Sequence, residues 1–214
     1  MTPDPTAAAS VSQRRHREVC QAALRVIVRK GLEETTLRDI SREGGFTTGV
    51  VTHHFVDKNA VIRGAFALAS EDWWAEVSER LMGSTSVEEQ LRQLVLVAVP
   101  GDERRRVEWR LWAEMWTYAA RHPEFVADVV DNNTVWTLEI RGVLERARAA
   151  GVVGDIDIDA EASALAAMID GLGLRAWLSG KWSESRRDLV AHLGTLGVPP
   201  KVLERMLAPA ESGR

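Results

Sequence analysis

Residues 36–55 constrain the fold more than any other part of this chain. They read Thr-Leu-Arg-Asp-Ile-Ser-Arg-Glu-Gly-Gly-Phe-Thr-Thr-Gly-Val-Val-Thr-His-His-Phe, a short helix, a glycine-bearing turn and a second short helix. Thr35 or Thr36 caps the first helix, with Asp39 as an acidic partner in its first turn. Leu37, Ile40 and Ser41 share one face, and Arg38, Arg42 and Glu43 face away. Gly44-Gly45 permits a sharp turn, because glycine tolerates positive φ. Phe46 is the apolar plug that fixes the angle between the helices. Thr47 or Thr48 caps the second helix, which runs to about His54 with Val51 and Phe55 inward. Thr47, Thr48, Gly49, Val50, Thr52 and His53 then face outward. Their side chains are short, so the backbone can come close to a duplex. Hydroxyls and imidazoles bond phosphate oxygens, and Val50 suits a thymine methyl. A helix-turn-helix of this kind is built to lie in a DNA major groove. Asp57-Lys58-Asn59 opens the next helix, with Lys58 placed as a phosphate contact.

An overall charge of −4 is at odds with a DNA partner until its distribution is considered. Residues 13–63 hold ten Arg/Lys and six Asp/Glu, a local +4 that leaves −8 on the remainder. A basic head on an acidic body confines phosphate attraction to the head. Arg14, Arg15 and Arg17 open the first predicted helix, where a DNA backbone would pass.

The chain otherwise reads as helix after helix, with no strand signal. Apolar spacings of three and four predict helices over 12–30, from 57 to the Gly83 break, and from 87 to Pro100-Gly101. Four more helical stretches follow, over 102–121, from Pro123 to Gly151, over 159–179, and over 184–207 with breaks at Gly194, Gly197 and Pro199-Pro200. Residues 1–12 are expected to be a disordered arm: they lack the basic start and apolar core of a signal peptide. No run of eighteen apolar residues predicts a membrane span. Cys20, the single cysteine, cannot form an internal disulfide and is expected as a small core residue in a cytoplasmic protein.

Residues 13–63 resemble the DNA-binding domain of the TetR family. The resemblance rests on Gly31-Leu32, Thr36-Leu37 with Ile40, Gly44/Gly45-Phe46-Thr47 with Gly49, His53-His54-Phe55 and Asp57-Lys58-Asn59-Ala60-Val61-Ile62. Thr52, where most of that family carries Tyr, looks closest to the BetI-like branch. Met168-Ile169-Asp170-Gly171-Leu172 with Leu174-Arg175 resembles a C-terminal segment of the same branch. The resemblance implies an all-α, nine-helix architecture. A helix-turn-helix head would span 13–60, and a ligand-binding and dimerisation body 61–214. It also implies a homodimer, paired through the eighth and ninth helices (159–179 and 184–207), that binds a palindromic double-stranded DNA operator and is released by a small-molecule effector. Leu165, Ile169, Leu172, Leu189, Leu193, Val202 and Leu203 are the apolar residues expected to divide between core and partner. The expected DNA-binding set is Arg14, Arg15, Thr36, Thr47, Thr48, Gly49, Val50, Thr52, His53 and Lys58.

Eight Trp against one Tyr is a skewed aromatic choice. Trp109, Trp112 and Trp116 form one helical stripe, which Trp73, Trp136 and Trp177 could approach. One reading is core packing. The other is an aromatic-lined ligand cavity, with Glu108, Glu114 or Asp170 to hold a cation. The expected ligand-binding set is therefore Trp73, Trp109, Trp112, Trp116, Trp136, Asp170 and Trp177. The BetI-like resemblance implies a quaternary ammonium effector such as choline, with a flat apolar metabolite as the alternative. A small helical enzyme or lipid-binding module using the same cavity is the rival reading. No catalytic constellation, phosphate loop or cofactor motif accompanies it. Asp155-x-Asp157-x-Asp159 lacks the glycine and glutamate of a calcium loop and is expected to be turn and cap chemistry. His53 and His54 are adjacent, a poor metal pair on a helix, so no metal site is expected.

Overall fold

The computed structural model describes the backbone of residues 5–208 and the side chains of residues 11–103 and 105–208. Among the described residues all regular structure is helical. The helices are α1 (Pro5–Lys30), α2 (Leu37–Gly44), α3 (Thr48–His54), α4 (Lys58–Met82), α5 (Val87–Ala98) and α6 (Glu103–Ala119). A 3-10 turn (Pro123–Phe125) leads into α7 (Val126–Ala149), α8 (Ile158–Ser179), α9 (Trp182–Thr195) and α10 (Pro200–Leu207). The expected all-α class is what is observed, with the 184–207 stretch resolved into two helices. Gly194 sits inside α9, whereas Gly197, at φ 96, and Pro200, at the start of α10, make the real break. Residues 1–4 of the expected arm lie outside the described residues, and the chain is already helical from Pro5. The alanine run at 7–9 explains the early start: alanine is the strongest helix former yet carries no apolar period to read.

The chain divides into two compact units, Met1–Ala75 and Glu76–Arg214, and the division falls within α4. In the first unit, Val19, Ala22, Ala23, Val26 and Ile27 give α1 a buried face. Ile40, Val51, Phe55, Val61, Ile62 and Phe66 complete that core. Thr36 caps α2 by accepting the Asp39 N–H (3.2 Å), and its own hydroxyl donates to the Asp39 carboxylate (2.7 Å). The two turn glycines serve different ends. Gly45 takes the left-handed conformation (φ 68) and closes the helix. Gly44 is still helical, but a Cβ there would lie 2.0 Å from the Phe46 ring. Cys20 is buried in this core, 3.0 Å from where a Cβ on Gly64 would sit, and burial pushes its thiol up to about 11.

In the second unit, Ser86, Asp102 and Asp157 cap α5, α6 and α8 through their side chains. The cap at Asp157 is the turn chemistry expected of the Asp155–Asp159 run. Packing is reinforced by polar links between helices. Trp109 Nε1 donates to the Ala98 carbonyl (3.1 Å), Ser185 Oγ to the Leu172 carbonyl (3.1 Å) and Arg186 to the Val99 carbonyl (2.8 Å). Trp109 also lies flush on α8, where a Cβ at Gly173 would fall 2.0 Å from the indole. Leu165, Ile169, Leu172, Leu189, Leu193 and Val202 are all buried within their own chain, and Leu203 is half-buried. Of the residues expected to divide between core and partner, all but Leu203 are therefore core, and the large apolar side chains left exposed on α8 are Leu174, Trp177 and Leu178. No helix of the described residues is long and apolar enough to cross a membrane.

Candidate nucleic-acid interface and body groove

The outward face of α3 is formed as the sequence predicts. Thr47, Thr48, Gly49, Thr52 and His53 are exposed, Val50 is half-buried, and Val51 and Phe55 are buried. Thr47 occupies the N-cap position with no side-chain cap bond. The Thr52 hydroxyl is turned back, donating to the Thr48 and Gly49 carbonyls (3.2 and 3.3 Å). Arg15, Thr47, Gly49, Val50 and His53 line one groove of about 570 Å³, joined by Val11, Ser12 and His54. The last three were absent from the expected set. Val11 and Ser12 are there because α1 begins well before residue 12. His16, His53 and His54 approach one another beside the groove, with ring centroids 6.5 Å apart for His16–His54 and 5.1 Å for His53–His54. Burial, then the neighbouring His53, His16 and Arg15, lowers the His54 pKa.

Of the other expected DNA-binding residues, Arg14, Thr36, Thr48, Thr52 and Lys58 do not line this groove, and Arg15, which does, has partners of its own. Arg14 is largely exposed, 3.7 Å from Glu18. Arg15 is held by Glu18 (2.7 Å) and stacks its guanidinium over Phe46 (5.4 Å). The Thr36 hydroxyl is engaged in the α2 cap. Lys58 is half-buried and donates to the Glu33 carbonyl (3.0 Å), and burial lowers its pKa. That bond ties the ammonium to the loop ahead of α2. Part of the basic charge in the head is structural. Arg25 and Arg29 both grip Glu43 (2.9 Å each), and Lys30 grips Asp39 (2.9 Å). Arg38 is exposed and, among the described residues, forms no ion pair.

In the body the tryptophan stripe divides. Trp109 is core, meeting Trp116 edge to face (5.7 Å, 80°) and tilted toward Trp182 (6.5 Å). Trp136 is buried, Trp112 half-buried and Trp177 exposed, and Trp73 belongs to the first unit. Trp116 alone of the expected tryptophans lines an open groove of about 440 Å³ formed by α6, α7 and α8. Its walls include Val126, Val130, Leu174 and Asn133, and its single acid is Asp170. Burial alone raises the Asp170 carboxyl to about 6. Glu108 and Glu114, also weighed as cation holders, are half-buried but do not line this groove. Among the described residues no cluster of three or more His, Cys, Asp or Glu could hold a metal.

Comparison with known proteins matches residues 19–65 to the bacterial regulatory proteins of the tetR family. Residues 87–196 match the C-terminal domain of the BetI-type transcriptional repressors. The regulator PksA of Bacillus subtilis (strain 168) is 26% identical over 173 residues, covering 78% of this chain and 80% of PksA. The regulator BetI of Escherichia coli (strain K12) is 28% identical over 195 residues, covering 86% and 94%. A putative transcriptional regulator from Saccharomonospora viridis, solved in complex with choline, superposes with a TM-score of 0.78 at 24% identity, covering 85% and 96%. That last likeness concerns the fold.

Proposed function

This chain belongs to the tetR family of bacterial regulatory proteins, and from that premise we propose that it is a dimeric repressor that releases its operator when a small molecule occupies the body. The observation that carries the reading is the α2–turn–α3 unit. Its exposed Thr47, Gly49 and His53 share a groove wall with Arg15 and Val50, and Thr48 is exposed on the same helix. Base edges are read from the α3 face, and Arg14, Arg15, Lys58 and the exposed Arg38 meet phosphates. The enzyme alternative has no support, since the matched models and relatives are regulators.

A second copy docks on α8 and α9, with the exposed Trp177 and Leu178 as the apolar contacts. Two-fold pairing sets the recognition helices about 34–36 Å apart, one turn of duplex. Operator and effector affinities are then reciprocally coupled. The choline bound by the Saccharomonospora viridis protein supports keeping quaternary ammonium compounds among the effectors to test, beside flat apolar metabolites. The test is a gel shift with DNA from around the protein's own gene, run beside sedimentation. A retarded band at nanomolar protein, competed only by the same sequence, supports the reading. Binding indifferent to sequence, or a monomer at micromolar concentration, refutes it.

A further inference from the structure

The body groove has one chemical asymmetry. Asp170 is the only titratable residue that lines it, and the other walls are Trp116, Asn133, glycine and small or branched aliphatic residues. Among the described residues, the Asp170 carboxylate accepts no hydrogen bond and forms no ion pair, and no charged group of α6, α7 or α8 shifts its titration. A half-buried carboxylate against apolar walls is costly until something donates to it. The donor-bearing residues that line the groove, Asn133 and Trp116, make no hydrogen bond to it, so the carboxylate is open to a donor carried by a ligand.

The walls also discriminate among cations. Recognition of a quaternary ammonium rests on several aromatic faces around the methyl groups. Here one indole lines the groove, and its ring already meets Trp109. A quaternary nitrogen would also leave the carboxylate lone pairs without donors, whereas a protonated amine forms short charge-assisted bonds. The Asn133 amide offers a second polar partner at the wall. Val126, Val130 and Leu174 are 45%, 53% and 39% exposed, an apolar surface awaiting cover.

We propose that this groove is the effector site and that it selects an amphiphilic amine: a primary or secondary ammonium bonded to Asp170, with its alkyl or aryl body lying on Val126, Val130, Leu174 and Trp116. The proposal rests on the reading of the chain as a ligand-responsive regulator and narrows the effector class within it.

The test is calorimetric titration of the full chain with hexylamine, hexyltrimethylammonium and hexanol, three probes with one alkyl body. Hexylamine binds at least about tenfold more tightly than either analogue, the factor expected of a charge-assisted hydrogen bond. Its affinity rises as pH climbs through about 6, where Asp170 ionises, and then levels off. In Asp170→Asn the preference and the pH dependence both vanish, while hexanol binds as before. Leu174→Trp, which fills the groove from a different wall, blocks all three probes and serves if Asp170→Asn folds poorly. Equal binding of hexylamine and hexyltrimethylammonium, or amine selectivity surviving in Asp170→Asn, overturns the proposal. Operator binding by the unaltered chain in the same buffer separates the two readings: retained DNA binding without amine selectivity sinks the groove assignment alone.

Discussion

The head and the body differ in what their polar side chains leave open to a partner. In the head, charges are tied to each other across helices: Arg25 and Arg29 to Glu43, Lys30 to Asp39, Arg17 to Asp72 at 2.7 Å. This clamps short helices that a small core would hold only loosely, and it leaves the α3 face free for a partner. In the body, ion pairs also cross between helices, as Arg141 to Asp159 (3.0 Å) and Arg175 to Asp188 (2.6 Å), and Trp109 and Arg186 bond backbone carbonyls inside the packing, but the Asp170 carboxylate is left facing an apolar groove. A surface that reads many phosphates needs several donors held in register. A site for one small molecule needs shape and a single unmatched group.

The comparison can be broken most forcefully at the body's tryptophans. Trp109→Ala removes a buried indole and should cost about 3–5 kcal/mol. For a chain of this size that lowers the melting temperature by roughly 6–20 °C. Trp116→Ala, at the groove wall, should cost about 1 kcal/mol. Thermal unfolding followed by circular dichroism decides this; equal losses would mean the stripe is undivided core.

The two crowded glycines come next. Gly173→Ala drives a methyl into a buried indole and should destabilise by about 1–3 kcal/mol. Gly44→Ala meets the half-buried Phe46 ring, which can swing aside, so its cost should be smaller and should appear as weakened operator binding. Denaturant titration beside fluorescence anisotropy on an operator separates the two effects.

Within the head, Lys58→Ala should weaken binding to all DNA sequences and flatten the salt slope by about one unit. Val50→Ala should leave the slope intact and change which operator is preferred. Anisotropy over a salt series reads both, and a changed preference in Lys58→Ala would overturn this division of roles.

The smallest effect concerns pH. The Thr36 hydroxyl and the Lys30 ammonium hold Asp39 down to about 2, below the ordinary value of about 3.9. A depressed carboxyl stabilises the fold above its unfolded pKa, and that contribution fades as pH falls from about 4 to about 2. Asp39→Asn should therefore lose less stability than the parent between pH 5 and pH 3.

The helix-turn-helix was readable because its determinants are local. The Thr36 cap, the left-handed Gly45 and the inward Val51 and Phe55 depend on residues a few positions away. Gly44 was readable only in part, since its need for space depends on where the Phe46 ring falls. The body resisted reading because its determinants are remote. Trp109 is core because Gly173, on another helix, leaves room for it, and apolar period alone cannot distinguish it from Trp116. The same limit hides which apolar residues stay exposed: Leu165 and Leu174 are equally apolar in sequence, but only Leu174 is left in water. Asp170 was singled out as one of three acids, and its isolation became visible only once α6, α7 and α8 were assembled.

Cys20 has a practical consequence. With a thiol pushed up to about 11, roughly one molecule in ten thousand carries the reactive thiolate at pH 7, and the sulfur is buried besides. A maleimide added to the native chain should find almost nothing to attack. A second cysteine placed at exposed Thr47 or Leu178 would then take a fluorophore or spin label alone, with the natural residue left in place. The chain is in effect already prepared for single-site labelling, without altering its core.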